Sequence, residues 1–390
     1  MDYSHILSQN ASSLKPSGIR KFFSIAQEME GVISLGVGEP DFRTPWVIRK
    51  AGIDSLEKGL TWYTANSGLA ELQLEIARYL ERRFSLSYGQ DQVLVTVGGS
   101  EAIDICMRAF VNPGDEVLIP EPSFVAYDAM AKLCGAVSVP IPTYEEDRFR
   151  LTAKALKAAI TPKTKLLIFP FPNNPTGGIM RREHLEEIAE VLRGTNIVVL
   201  SDEIYAELTY GGKHVSIASI EGMKERTVVV NGFSKAYAMT GWRLGYAVGP
   251  KPAIDVMYKI HQYAIMCAPT TSQYAAIEAL RSCDEEIEKM AAEYNMRRRY
   301  IVDRLNKMGL HCFNPEGAFY VFPSIQSTGL TSQEFCEKLL YSKKVAMVPG
   351  DAFGACGEGF VRICYCYSME HIKEALRRLE EFLAEQNSQG

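Results

Sequence analysis

Between Gln92 and Pro250 the sequence switches hydrophobic period again and again, and that alternation constrains the fold more than any other feature. Short continuous apolar runs, "QVLVTV" (92–97), "DEVLIP" (115–120), "TKLLIFP" (164–170), "NIVVLSD" (196–202) and "RTVVVNGF" (226–233), alternate with helical patterns such as "GGSEAIDICMRAF", "SFVAYDAMAKLCG" and "RREHLEEIAEVLRG". Strands that lack polar alternation are buried on both faces, and intervening helices of ten or more residues supply the cover. The expected class is α/β, a mostly parallel sheet sandwiched by helices. Ligands of such sheets bind beyond the carboxyl ends of the strands.

After Pro269 the pattern becomes long charged helices, including "DEEIEKMAAEYNMRRRYIVDRLNKMG", with the strand-like pieces "GAFYVFP" and "FVRICYC" between them. A chain of 390 residues also exceeds the ~250–300 residues that one core usually serves. We therefore expect a large domain over 46–280 and a smaller α+β domain over 281–390, joined by the N-terminal segment 1–45. The net charge of -5 and the lack of a basic run argue against a nucleic-acid partner, and "RRR" at 297–299 is expected to be a short helix face. The N-terminus has no signal-like apolar run, and no later segment approaches the ~20 apolar residues of a span, so we expect a cytoplasmic protein without a membrane partner. Nine cysteines without C-x-x-C spacing or a nearby histidine are expected to be reduced, mostly buried thiols, and no metal is expected.

The stretch "NGFSKAYAMTGWRLGY", Asn231 to Tyr246, places Lys235 among apolar neighbours. A buried ammonium needs a partner or loses its proton and becomes a nucleophile. Gly98-Gly99-Ser100-Glu101 closes a strand and opens a helix, so free N–H groups, a partial positive charge and a hydroxyl face an anion such as phosphate. Neither this run nor "GVGEPD" at Gly36 matches a dinucleotide or nucleoside triphosphate fingerprint. Arg243 could clamp a phosphate with its planar fork. Asp202 ends an apolar strand, where a carboxylate needs a partner such as a pyridinium N–H. Phe124, two residues beyond Pro122, could stack on a flat ring. Each residue has an ordinary structural alternative: a helix cap for Ser100 or Asp202, a surface arginine, a core phenylalanine. Together they make the parts list for pyridoxal phosphate.

At this point the sequence resembles the class I and II aminotransferases of the fold type I pyridoxal-phosphate enzymes, closest to the aspartate and aromatic group. The resemblance runs from "ISLGVGEPDF" through "YTANSG", "VTVGGSEAI", "PFPNNPTGG", "SDEIY" and "NGFSKAYAMTGWRLGY" to "GAFYVFP" and "GEGFVRICY". It implies that Lys235 forms the internal aldimine, that Asp202 pairs with the pyridinium nitrogen, and that Tyr205 and Asn174 hold the ring's 3-oxygen. Phe124 would stack on the ring, and Gly99, Ser100, Glu101 and Arg243 would hold the phosphate. Tyr63 would reach the phosphate of the neighbouring subunit in a homodimer with shared sites, while Arg362, Gly38 and Asn174 would grip the substrate α-carboxylate. One departure stands out: many relatives carry a phosphate-binding serine three residues before the lysine, where this chain has Gly232, and Ser234 is the candidate to replace it.

The implied activity is transfer of an amino group from an aromatic L-amino acid or aspartate to 2-oxoglutarate, through ping-pong kinetics. Alternatives are a carbon–sulfur β-lyase of the same fold, or an aminotransferase specific for alanine or a diamino acid. An amino-acid-sensing transcription regulator or a nicotinamide-dependent dehydrogenase would need segments that the sequence lacks. No residue is assigned to the substrate side chain. Arg20, Lys21 and Arg43 could each meet a distal carboxylate, and Phe22, Trp62, Tyr63 and Phe124 a ring.

Overall fold

The structure, a computed structural model, describes residues 1, 3, 5–14 and 29–389. Its twelve strands, among the described residues, are β1 (Ile33–Ser34), β2 (Val93–Thr96), β3 (Glu116–Glu121), β4 (Val137–Pro142), β5 (Thr164–Phe169), β6 (Val198–Asp202), β7 (Thr227–Gly232), β8 (Gly245–Val248), β9 (Tyr320–Val321), β10 (Val345–Ala346), β11 (Val348–Pro349) and β12 (Val361–Cys364). Seven of them form one sheet in the order β2-β8-β7-β6-β5-β3-β4. Neighbours from β4 to β7 pair in parallel, and β8 alone runs against its neighbours β7 and β2.

The five apolar runs become β2, β3, β5, β6 and β7. Their side chains alternate between two apolar layers, as a strand's period of two requires. Val229 and Val248 pack with the helices Ala70–Phe84 and Thr270–Ser282, while Val228, Val230 and Ala247 pack with Gly98–Phe110 and Lys251–Ala264. Two strands of this seven-stranded sheet were not expected from the sequence. β4 is an edge strand with two prolines and partly exposed residues, so it carries no continuous apolar run. β8 is only four residues long and follows Arg243 almost at once, which hides its strand character behind the motif.

Beyond Cys283 the helices Asp284–Lys307, Ser332–Lys343 and Met369–Gln389 pack around β9 to β12 in a separate apolar cluster. The N-terminal segment joins them: β1 pairs in parallel with β10, and Asp41 accepts two hydrogen bonds from Arg297 Nη1 at 2.8 and 2.9 Å. Here the reading of "RRR" as a helix face is corrected. Arg297 and Arg298 are buried because acceptors are waiting for them: Asp41 and Glu293 for the first, and Asn295, Asn314 and the Pro315 carbonyl for the second. All nine cysteines are free thiols, six of them buried. No helix among the described residues is long and apolar enough to cross a membrane.

Candidate active site

The carboxyl ends of β2, β3, β5, β6 and β7 open on one cavity of about 330 Å3, closed on the far side by Gly36–Gly38, Tyr320 and Arg362. Of the residues singled out in the sequence, Gly38, Gly99, Ser100, Phe124, Asn174, Asp202, Tyr205, Ser234, Lys235, Arg243 and Arg362 line it. Glu101 and Tyr63 do not.

Lys235 follows β7, and its Nζ donates to the Gly38 carbonyl at 2.7 Å. The Tyr205 and Phe319 rings lie 5.9 and 5.7 Å from it. Burial pushes its ammonium below the ordinary lysine range, because low-dielectric surroundings disfavour the charged form more than one carbonyl supports it. Burial therefore favours the neutral amine over the ammonium.

Across the cavity Asp202 ends β6, and each of its carboxylate oxygens is held. Tyr127 Oη donates to Oδ2 at 2.7 Å, and the Ile204 N–H to Oδ1 at 3.2 Å. Burial raises the Asp202 carboxyl and these hydrogen bonds oppose the rise. Tyr127 escaped the sequence reading; the available signal was its position three residues after Phe124, one helical turn on, and the two rings meet edge to face at 5.7 Å. Tyr205 Oη lies 2.7 Å from Tyr320 Oη, a second residue that the sequence reading did not single out, although it stands inside "GAFYVFP".

The floor at β2 suits an anion. Gly98 sits at φ +76°, and a side chain there would meet the Arg243 guanidinium, so glycine lets backbone and arginine approach. The first-turn N–H groups of Gly98–Phe110 have no intrahelical acceptor. Ser100 and Ser234 hydroxyls make no hydrogen bond to the described residues. Arg243 has no carboxylate within ion-pair distance among the described residues and donates only to the Thr240 carbonyl, at 2.9 Å. The departure at Gly232 also has a cause. A Cβ there would come within 2.9 Å of Gly245 Cα and 3.0 Å of the Leu244 carbonyl, and one at Gly245 within 2.6 Å of Gly98, so backbones stack where a serine would need room.

The Glu101 side chain faces away from the cavity. Its carboxylate turns back to accept from the Val97 N–H at 2.5 Å and meets His261 Nδ1 at 2.6 Å. What the structure leaves Glu101 to offer an anion is its backbone N–H, and the side chain caps its own helix instead. Tyr63 is 74% exposed, and its sequence neighbour Trp62 is exposed as well. Arg43 lies in a neighbouring groove that shares Thr240 and Arg243 with the cavity. Arg20, Lys21 and Phe22 lie outside the described residues.

At the far wall Arg362 is buried on β12. Its Nη1 donates to Asn174 Oδ1 at 2.8 Å and its Nη2 to the Gly36 carbonyl at 2.5 Å. The guanidinium is packed between the rings of Tyr320 and Phe353, 4.7 and 4.8 Å from their centroids. Among the described residues Nε has no acceptor and no carboxylate pairs with this cation. A buried charge without a counter-ion is costly unless an anionic ligand completes it.

Comparison with known proteins points the same way. Residues 30–379 match the family described as aminotransferase class I and II. The chain is 47% identical to an aspartate aminotransferase of Pyrococcus abyssi, over 97% of this chain and 98% of that one. It is 45% identical to aromatic-amino-acid aminotransferase 2 of Thermococcus litoralis, with the same coverage of each. The crystal structure of an aromatic aminotransferase from Pyrococcus horikoshii superposes with a TM-score of 0.90 at 44% identity, over 95% of this chain and 99% of that one.

Proposed function

The chain belongs to the class I and II aminotransferases, which are pyridoxal-phosphate-dependent, and on that premise we propose that it transfers the amino group of an aromatic L-amino acid or aspartate to 2-oxoglutarate by a ping-pong cycle anchored on Lys235. The observation that carries the reading is the pairing of two basic side chains across one cavity. Lys235 is destabilised as an ammonium, and Arg362 is a permanent charge that lacks a counter-ion.

The residues fit the cofactor. An orphaned helix N-terminus, two unbonded hydroxyls and Arg243 stand where a phosphate would be held, a buried carboxylate stands where a ring N–H would be, and Phe124 provides a flat face. When bound, pyridoxal phosphate supplies an electron sink for the Cα–H bond that breaks and a carrier for the amino group between half-reactions. Asp202 would pair with the ring nitrogen, and a cationic partner there would add to the Tyr127 and Ile204 donors that oppose the rise burial causes in its carboxyl. Tyr205 and Asn174 orient the ring through its 3-oxygen. Lys235 Nζ, whose charged form burial disfavours, would move the proton between the substrate Cα and the cofactor carbon that takes up the amino nitrogen, in opposite directions in the two half-reactions. Arg362 forks onto the substrate α-carboxylate, fixing the Cα–H toward Lys235, with Asn174 and Gly38 beside it.

Two further assignments complete the proposal. Residues 46–280 form the large cofactor-holding domain, with 1–45 and 281–390 in the small one. The working unit is a homodimer in the cytoplasm, in which the exposed Tyr63 reaches the partner's phosphate; the exposure of this large aromatic side chain and of its neighbour Trp62 supports an isologous contact.

Borohydride reduction of the loaded enzyme followed by peptide mapping tests the anchor, and label on a lysine other than Lys235 would overturn it. A panel of amino acids read by the fall of visible absorbance in a single half-reaction tests the donor. If alanine or a diamino acid outpaced phenylalanine, tyrosine, aspartate and glutamate by tenfold or more, the substrate assignment would fail while the chemistry stood.

A further inference from the structure

We propose that Tyr320 is a positioning residue that couples the two ends of the site, its hydroxyl setting the donor strength of Tyr205 and its ring setting the position of Arg362. The inference rests on the cofactor and carboxylate assignments above and adds a role that they do not contain.

Tyr320 touches every group that has to agree. Its Oη is 2.7 Å from Tyr205 Oη, both side chains are buried, and its ring lies 4.7 Å below the Arg362 guanidinium. A Cβ on residue 38 would collide with the same hydroxyl, so Tyr320 is also the reason that residue 38 is glycine, and the Gly38 carbonyl is what holds Lys235.

Proton counting then assigns directions. Each tyrosine hydroxyl has one proton to give and can accept from others. If Tyr205 gives its proton to an oxygen in the cavity, the 2.7 Å contact requires Tyr320 to donate to Tyr205. A hydroxyl that accepts a hydrogen bond becomes a better donor, and the effect is larger where water is excluded. Tyr320 thereby strengthens the hydrogen bond that Tyr205 makes to the ring oxygen and favours that oxygen's anionic form. Its ring acts separately. The face of Tyr320 and the face of Phe353 hold the guanidinium between them without using any of its N–H groups, which leaves Nε free for a carboxylate.

Two variants separate the two roles. Tyr320→Phe keeps the ring and removes the hydroxyl; Tyr320→Leu removes both. The readouts are the pH midpoint at which the loaded enzyme's visible absorbance changes, and the dissociation constants of two unreactive acids, succinate and 3-phenylpropionate, followed by absorbance. For Tyr320→Phe we expect the midpoint to rise by about 0.5–1 unit, the equivalent of one lost hydrogen bond, with acid binding changed less than about twofold. For Tyr320→Leu we expect the same rise together with acid binding weakened roughly 3–30-fold, the span of a cation–π contact. A midpoint that does not move in Tyr320→Phe overturns the proposal. So does acid binding that weakens equally in both variants, since that would mark a merely structural residue. A wild-type protein with no visible band or no turnover would instead sink the proposed function, which keeps the two failures apart.

Discussion

Lys235 and Arg362 are basic side chains on the same cavity, yet their surroundings use burial in opposite ways. Around Lys235 there is one carbonyl and two aromatic rings, too little to hold a charge, so burial shifts the amine toward its neutral form. Around Arg362 there are two oxygen acceptors and two ring faces, and a guanidinium does not give up its proton in any case. One site needs a group that changes its charge, and the other needs one that never does. The residue types follow from that, and exchanging them would defeat both.

The largest effect tests the changeable end. Lys235→Ala should lower kcat by about 10^4-fold or more while the purified protein still binds cofactor through its phosphate and ring contacts, measured by turnover and by equilibrium dialysis. If turnover survived at a tenth of wild type, the proton carrier would be another residue. Asp202→Asn should come next, at roughly 10^2–10^3-fold in kcat, because the amide cannot stabilise a positive ring nitrogen. Near wild-type turnover in this variant would remove Asp202 from the mechanism.

Arg362→Lys should be smaller and different in kind. It keeps a charge but loses the fork, so KM for both amino and oxo acid should rise about 10–100-fold with a lesser change in kcat. Steady-state kinetics with both substrates decide this, and an unchanged KM would break the comparison, because Arg362 would then serve structure alone. The smallest effect concerns the free energy stored at Lys235. Its folded pKa lies below the unfolded one, so the unfolded chain binds more protons between the two values, and stability rises with pH across that window. In the cofactor-free protein, Lys235→Met should raise Tm by roughly 1–3 °C below the depressed pKa, and the gain should vanish above the ordinary lysine range. A gain independent of pH would mean that packing, and not charge burial, explains it.

Local signals carried the sequence reading where they were sufficient. β2, β3, β5, β6 and β7 were legible as continuous apolar runs, whereas β4 is broken by two prolines and exposed residues, and β8 begins inside the motif that follows Lys235. Lys235, Asp202 and the Gly98–Ser100 turn were legible for a related reason: a polar group beside a buried strand end stands out against its neighbours. The direction of the Glu101 side chain was not legible, because a carboxylate in a first helical turn can face either way, and only the position of His261, 160 residues on, shows that it turns inward. Arg297 and Arg298 were misjudged in the same manner, since Asp41 and Asn314 are not neighbours in sequence.

By itself, then, the sequence determined the α/β class, the strand ends that open on the cavity and the lysine that lines it, because hydrophobic period and strand-end chemistry are properties of short segments. Tertiary structure alone decided that Tyr127 holds Asp202 from 75 residues away and that Tyr320 meets Tyr205 from 115. It also left Arg362, 188 residues from Asn174, without a counter-ion. A buried polar group must find its partner wherever the fold brings one, and that distance in the chain carries no local periodicity to announce it.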